Sequence, residues 1–403
     1  MLAGAMNNGL LKLALGGMVA MAAGLGIGRF VYTPILPPMV DSLHLSNGDA
    51  GLIASANFAG YLAGALALIR LRPPKSRMAW LMGALLVSAA AMACMAAVGG
   101  QVPAFLLLRF IGGAASAAVF VFASAIVLDQ VAADGRFGLS AVHFAGVGAG
   151  IAISGALIAV LTAIGANWKE MWLASAAAGV IAAGIVAWLI SDHHHDTGPS
   201  AKSAGRPESW SFILFVISYG LFGFGYVITA TFLVSIVHGS PEVKPLEPYV
   251  WVLLGLSAAP SVAFWAWLGG RFGTLPSYAL ACVLEALGVA ASVLWHSTTG
   301  IVVAAICFGG TFMGLTALGT LIARAMPGGD PRQKIAAATA AFGLGQIIGP
   351  VVAGFAYDRW NSFVIPSFAA VAALCIAGAI AMALHWSNRG KGDQMTIPKV
   401  RRT

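Results

Sequence analysis

Residues 103–130 read PAFLLLRFIGGAASAAVFVFASAIVLDQ, and their only charges are Arg109 and Asp129. A run of this length suits a helix crossing about 30 Å of hydrocarbon. Lipid offers no water to exposed backbone groups, so a spanning segment is a helix or part of a closed barrel. A barrel strand would alternate polar and apolar residues over about ten positions. This run is apolar throughout, so it reads as a transmembrane helix.

The same pattern recurs on both sides of it. Spans are expected at about 11–39, 48–69, 78–98, 103–130, 138–164, 170–190, 211–237, 248–268, 276–296, 300–325, 335–356 and 362–385. Of the 403 residues 59% are hydrophobic and 9% charged, and the mean hydropathy is +0.88. A soluble domain carries about 25% charged residues, so this composition cannot cover a soluble surface. The first apolar run is too long for the core of a cleavable leader and reads as a retained span. Cys94, Cys282, Cys307 and Cys375 fall inside apolar runs without a CxxC pair. They read as packing residues, with no disulfide, metal or cofactor implied.

Of the 22 basic residues, seventeen fall in loops on the side of the two termini and three, Lys169, Lys244 and Arg359, on the other. The positive-inside rule then puts both termini in the cytoplasm. This placement accounts for the net charge of +8 without a nucleic-acid partner. The expected organisation is a six-helix bundle over 1–190, a cytoplasmic linker over 191–210, a second six-helix bundle over 211–385 and a basic tail over 386–403. The linker's His193-His194-His195-Asp196 run reads as a solvated tract and not as a metal site.

An offset of 197 residues carries Gly26, Gly28 and Leu36 onto Gly223, Gly225 and Leu233. It also carries Gly112-Gly113 onto Gly309-Gly310, and Gly146 and Gly148 onto Gly343 and Gly345. Three helix pairs in register point to duplication, with halves related by an axis along the membrane normal and a solute site between them. The glycines themselves read as seams where helix backbones approach closely. A nucleotide-binding loop is excluded, because no strand precedes them.

At this point the chain resembles the major facilitator superfamily and, within it, the bacterial YbfB/YjiJ-like branch. The resemblance rests on Gly26-Ile27-Gly28-Arg29-Phe30-Val31-Tyr32-Thr33-Pro34 running to Pro37-Pro38, and on Gly223-Phe224-Gly225-Tyr226 with Thr229-Ala230-Thr231-Phe232. Arg109, Gly113, Ala115 and Ala117 match the superfamily pattern of span 4. The family's loop motif between spans 2 and 3 is incomplete: Gly64 and Leu66 match, but Leu68 stands where an Asp is expected, and Gly270 replaces it in the second half. The resemblance implies an all-α fold of twelve spans, with spans 1, 4, 7 and 10 around a central cavity.

A charge at mid-bilayer costs about 2.5–3.5 kcal/mol on insertion scales, and arginine cannot shed its charge. Arg29 and Arg109 are therefore the first binding candidates; the alternative is that they bond helix carbonyls, including those freed by Pro34. Their repeat partners are Tyr226 and Ile306, so only the first half keeps cations. Tyr32, Asn57, Tyr61, Tyr219, Tyr226, Thr229 and Gln346 join them as hydroxyl and amide candidates for the solute, with Thr231 on the same helix. Glu285, Asp129 and His143 are the candidates for ion coupling. The expectation is an ion- or proton-coupled secondary transporter of a small organic anion, monomeric, in a bacterial inner membrane. Drug or metabolite efflux through a broad apolar cavity is the alternative. An intramembrane enzyme or sensor stands further back, for want of a convergent catalytic set or an output domain.

Overall fold

The computed structural model describes residues 2–70, 76–134, 138–190, 209–327 and 330–390. Twelve helical stretches long and apolar enough to cross a membrane follow in order. Spans 1–6 are Gly9–Leu43, Asn47–Leu68, Arg77–Ala97, Val102–Val131, Gly138–Ala163 and Trp168–Leu189. Spans 7–12 are Trp210–His238, Lys244–Phe272, Thr274–Leu294, Thr298–Ala325, Gln333–Trp360 and Val364–Ser387. No strand occurs among the described residues. Residues 191–208 of the expected linker, with its histidine tract, and the tail beyond Gly390 lie outside them; Ser209 and Trp210 belong to the start of span 7.

Polar residues at the span starts have a local cause. Ser76, Ser209 and Ser297 each accept a backbone N–H of the first helical turn, and Asn167 forms a capping box with Glu170. Each cap satisfies donors that a helix start leaves without partners. Exposed tryptophans gather at span ends: Trp80, Trp188, Trp210, Trp267 and Trp386 on the side of the termini, Trp295 and Trp360 on the other. This distribution is that of two interfacial belts.

The helices form two six-helix bundles of matched design. Span 1 packs on spans 5 and 6 as span 7 packs on 11 and 12. Span 2 meets span 4 as span 8 meets 10, and span 3 meets 4 and 6 as span 9 meets 10 and 12. Glycine carries the seams. A methyl group at Gly146 would strike the Met18 carbonyl of span 1, and one at Gly223 would strike the Phe342 carbonyl of span 11. These are close backbone approaches of the kind that bind helices where lipid removes the hydrophobic drive.

Two spans depart from the continuous helices expected. Span 8 divides into Glu247–Ala258 and Ser261–Phe272 at Pro260, which has no N–H for the ladder. Span 1 divides further: helix Leu2–Met21, a π-helical turn Ala22–Ile27, turn residues 28–31, then helix Tyr32–Leu43.

The bundles meet most closely in the half of the membrane away from the termini. There the Thr33 hydroxyl of span 1 donates to the Ala230 carbonyl of span 7 at 2.7 Å. These two residues are 197 positions apart, the offset of the repeat. Symmetry mates in contact must lie on the axis that relates the halves.

Candidate functional site

The site begins with a proline. Pro34 has no N–H to give the Phe30 carbonyl, and the N–H of Thr33 takes that carbonyl instead, at 3.2 Å. Thr33 thereby gives up the Arg29 carbonyl four residues back. Upstream, the N–H groups of Gly28 and Phe30 reach back five residues, to Ala23 and Leu25, at 2.9 and 3.3 Å. The result is a π-type irregularity in the middle of a span, a feature that recurs at functional sites. It leaves the carbonyls of Gly28 and Arg29 facing apolar surroundings.

Arg109 answers them. Its Nη2 donates to the Arg29 carbonyl at 2.9 Å and its Nη1 to that of Gly28 at 3.4 Å. The group is 4% exposed and lies 5.0 Å from the Tyr32 ring and 5.9 Å from that of Trp172. Asn57 donates its amide to the Arg109 carbonyl at 3.0 Å, and the Tyr32 hydroxyl donates to Ala50 at 2.9 Å. Arg109, Tyr32 and Asn57 thus tie spans 1, 2 and 4 around the break. A cavity of about 10 Å³ beside Arg109 has room for one water and not for a solute.

Arg29 has a different setting. Its guanidinium is walled by Tyr61 at 4.3 Å, Phe58 at 4.6 Å and Phe30 at 5.4 Å. It is 6% exposed, and its Nε and Nη2 donate to no partner. From the second half, the Tyr226 hydroxyl accepts a hydrogen bond from Gln346. The Tyr226 ring lies at 4° to that of Phe342 and 7° to that of Phe312. Phe30 of span 1 meets Phe312 of span 10 edge-on, with centroids 6.1 Å apart.

Beyond this point, away from the termini, the halves are closed over the site. Span 2 lies on span 11: a methyl at Gly51 would strike the Pro350 carbonyl, and Ser55 donates to the Ile347 carbonyl at 2.7 Å. Asp358 of span 11 accepts the N–H groups of Asn47 and Gly48 at 3.0 and 2.8 Å, so its charge sits on the N-terminus of span 2. Span 5 lies on span 8, where a methyl at Gly255 would strike the backbone of Ala152. His238 bridges Asp41 at 3.3 Å and Glu247 at 2.7 Å, joining the ends of spans 1, 7 and 8.

Over residues 21–382 the chain matches the family described as "Uncharacterised MFS-type transporter YbfB". The chain belongs to the YbfB-type family of major facilitator transporters. Solved structures agree on the fold. A mutant form of the nucleoside transporter NupG superposes with a TM-score of 0.68 at 16% identity, covering 93% of this chain and 99% of that one. A bacterial homologue of the human lysosomal transporter Spinster, in an inward-facing and unoccupied conformation, gives 0.68 at 16% identity over 96% and 98%. A D-xylose-proton symporter gives 0.68 at 13% identity over 94% and 97%. No curated protein matches the sequence.

The other candidates of this YbfB-type transporter are dispersed. Tyr219 donates to the Thr316 carbonyl at 3.0 Å, tying span 7 to span 10. Thr229 is buried with its hydroxyl unpartnered, and Thr231 is buried nearby. His143 packs against Gly17 with its Nε2 3.1 Å from the Ser124 hydroxyl, inside the first bundle. Asp129 pairs with Arg77 at 2.8 Å, linking the termini-side ends of spans 4 and 3. Glu285 is fully buried between spans 9 and 10; its Oε2 lies 3.0 Å from the Thr311 hydroxyl and its Oε1 has no partner.

Nothing in the sequence sets Phe58, Phe312 and Phe342 apart from the other phenylalanines of apolar spans. The one exception is that Phe58 and Tyr61 stand three apart on one helix face beside Asn57. Asp358 and His238, which close the far side, carry no pattern that separates them from ordinary loop charges.

Proposed function

We propose that this transporter carries a small organic anion by alternating access between its two bundles, with Arg29 as the anion-binding group. The observation behind this reading is the buried guanidinium of Arg29, with two donors unpartnered at the junction of the halves. An intramembrane arginine bears about 2.5–3.5 kcal/mol of insertion cost. Ring faces return about 0.5–2 kcal/mol each at a desolvated site, but they cannot accept two N–H groups. A carboxylate can, through paired, charge-assisted hydrogen bonds. Arg109 then serves as a positioning residue that fixes the break from which Arg29 projects. With the termini in the cytoplasm, as the basic residues argue, the closed face is the outer one.

The test is Arg29→Lys, with uptake and melting temperature measured on the same preparation. Lysine keeps the charge and loses the fork, so anion binding should fall at least tenfold while the protein stays folded. Loss of fold with unchanged anion selectivity would defeat the proposal and favour efflux of apolar compounds.

Glu285 is proposed as the proton carrier for coupling. The Thr311 hydroxyl has one proton, and the Cys307 carbonyl at 2.7 Å lies closer to it than Oε2 does. With a proton on Oε2, Glu285 can donate to the Thr311 hydroxyl while that hydroxyl donates to the Cys307 carbonyl, so one contact conflict is resolved and only Oε1 stays unpartnered. Glu285→Gln should then abolish uphill accumulation and leave exchange intact; unchanged accumulation would return Glu285 to a packing role.

A further inference from the structure

Resting on the anion reading above, we infer that the solute is a flat, conjugated carboxylate. Its carboxylate would lie along one edge of Arg29 and its ring would extend the tier of parallel rings contributed by spans 7, 10 and 11.

Two independent geometries meet here. The first is the guanidinium edge. The Nε hydrogen of an arginine and the nearer Nη2 hydrogen lie in the guanidinium plane and project in parallel from one edge, with the spacing of the two oxygens of a carboxylate. These are the two atoms left without partners, on a side chain only 6% exposed. Phe30, Phe58 and Tyr61 occupy the surroundings of the group without bonding that edge.

The second is the orientation of the rings opposite. Tyr226 and Phe342 lie 5.6 Å apart at 4°, Tyr226 and Phe312 6.0 Å apart at 7°, and Phe308 and Phe312 5.6 Å apart at 14°. Aromatic pairs favour offset stacks or edge-to-face contacts; Phe30 and Tyr278 meet the cluster edge-on, whereas these four rings stack on one another. Here three helices hold their rings near one common plane direction. Phe30 joins the guanidinium to this tier, 5.4 Å from Arg29 and 6.1 Å from the Phe312 ring. The rings of the tier are buried in this conformer, and a ligand ring entering beside Phe312 as the bundles part meets a face that accepts a flat π-system in that orientation. A saturated ring of the same size is thicker and lacks the quadrupole that stacks.

Three probes of similar size separate the terms: benzoate, cyclohexanecarboxylate and benzamide. Binding to the purified full chain is measured by calorimetry and by thermal stabilisation, which rises with ligand concentration above Kd. Benzoate should bind about three- to tenfold tighter than cyclohexanecarboxylate, the range that an aromatic pair contributes beyond its area, and benzamide should not bind measurably. Equal affinity for the two carboxylates, with benzamide excluded, overturns the flat-ring inference and leaves the anion reading standing. Benzamide binding as well as benzoate overturns the anion reading and this inference with it. Absence of binding by either carboxylate does the same. In Tyr226→Leu, and separately in Phe342→Leu, the ratio of benzoate to cyclohexanecarboxylate affinity should fall to about one, whatever happens to the absolute affinity of either. A folded variant of either kind that keeps the preference excludes the tier as its source.

Discussion

Two arginines of the same bundle, both buried in the membrane, hold opposite hydrogen-bonding positions. Arg109 spends both terminal nitrogens on two carbonyls and leaves only Nε unpartnered, whereas Arg29 keeps both Nε and Nη2 unpartnered. The difference traces to the break in span 1: Pro34 sends the Thr33 N–H to the Phe30 carbonyl and so opens that of Arg29, one of the two that Arg109 occupies. This account makes a coupling prediction. Pro34→Ala restores an N–H to the Phe30 carbonyl and frees Thr33 to bond the Arg29 carbonyl, so Arg109 loses part of its task. The stability cost of Arg109→Ala should then be about 1–2 kcal/mol smaller in the Pro34→Ala background than in the parent. Equal costs in the two backgrounds would sink the explanation. The sequence singled out both arginines, because any charge in a twenty-residue apolar run is conspicuous. It could not assign them, because which carbonyls lie open depends on a π-turn with no signature beyond the proline.

At the scale of helices, glycines do two different jobs that composition alone does not distinguish. Gly146 and Gly223 fasten helices within one bundle, whereas Gly51 and Gly255 let the two bundles touch. Overpacking costs about 1–3 kcal/mol, and the two classes should spend it differently. Gly146→Ala should lower the melting temperature, since no conformer escapes the clash with Met18. Gly51→Ala should leave the melting temperature nearly unchanged and shift the population towards molecules open on the face away from the termini. Spin labels at the Leu43 and Trp360 ends of spans 1 and 11 would report the longer distance. An unshifted distance with a lowered melting temperature would show that Gly51 belongs to the first class. The span boundaries themselves were legible to within a few residues, because hydropathy reports them directly. The breaks in spans 1 and 8 were not, since proline near a helix start is tolerated and sequence alone does not say which way the ladder yields.

Across the whole molecule, the 197-residue offset read from glycine pairs reappears as a physical contact between Thr33 and Ala230. The fold was therefore readable at its largest scale, through composition, span count and repeat. The candidate site was legible only in its polar members: Arg29, Tyr61 and Tyr226 stand out as polar groups in apolar spans, and the phenylalanines around them do not, since a phenylalanine in an apolar span carries no contrast. The closure of the far face was invisible, because Asp358 and the N-terminus of span 2 are 310 residues apart. A hydrogen bond to a charged group contributes about 1.5–3 kcal/mol; here it belongs to the closed conformer alone, and solvent at the exposed Asp358 weakens it. Asp358→Ala should therefore move the balance towards the open face by a few-fold, read as a longer distance between spin labels at Leu43 and at the far end of span 11. An unaltered distance would mean that the glycine seams hold the face shut unaided.

The dependence of span 1 on span 4 also sets an order of manufacture. The carbonyls of Gly28 and Arg29 receive their donors from a residue about 80 positions later in the chain. At 5–20 residues per second, the ribosome reaches Arg109 roughly 4–16 s after Arg29. During that interval the first helix carries an uncovered charge and open carbonyls, and bare lipid is a poor place for both. The first span is therefore a segment that the insertion machinery must shelter until the fourth arrives. Nascent chains halted before residue 109 should remain beside the translocon, and chains halted after span 4 should have moved into the bilayer.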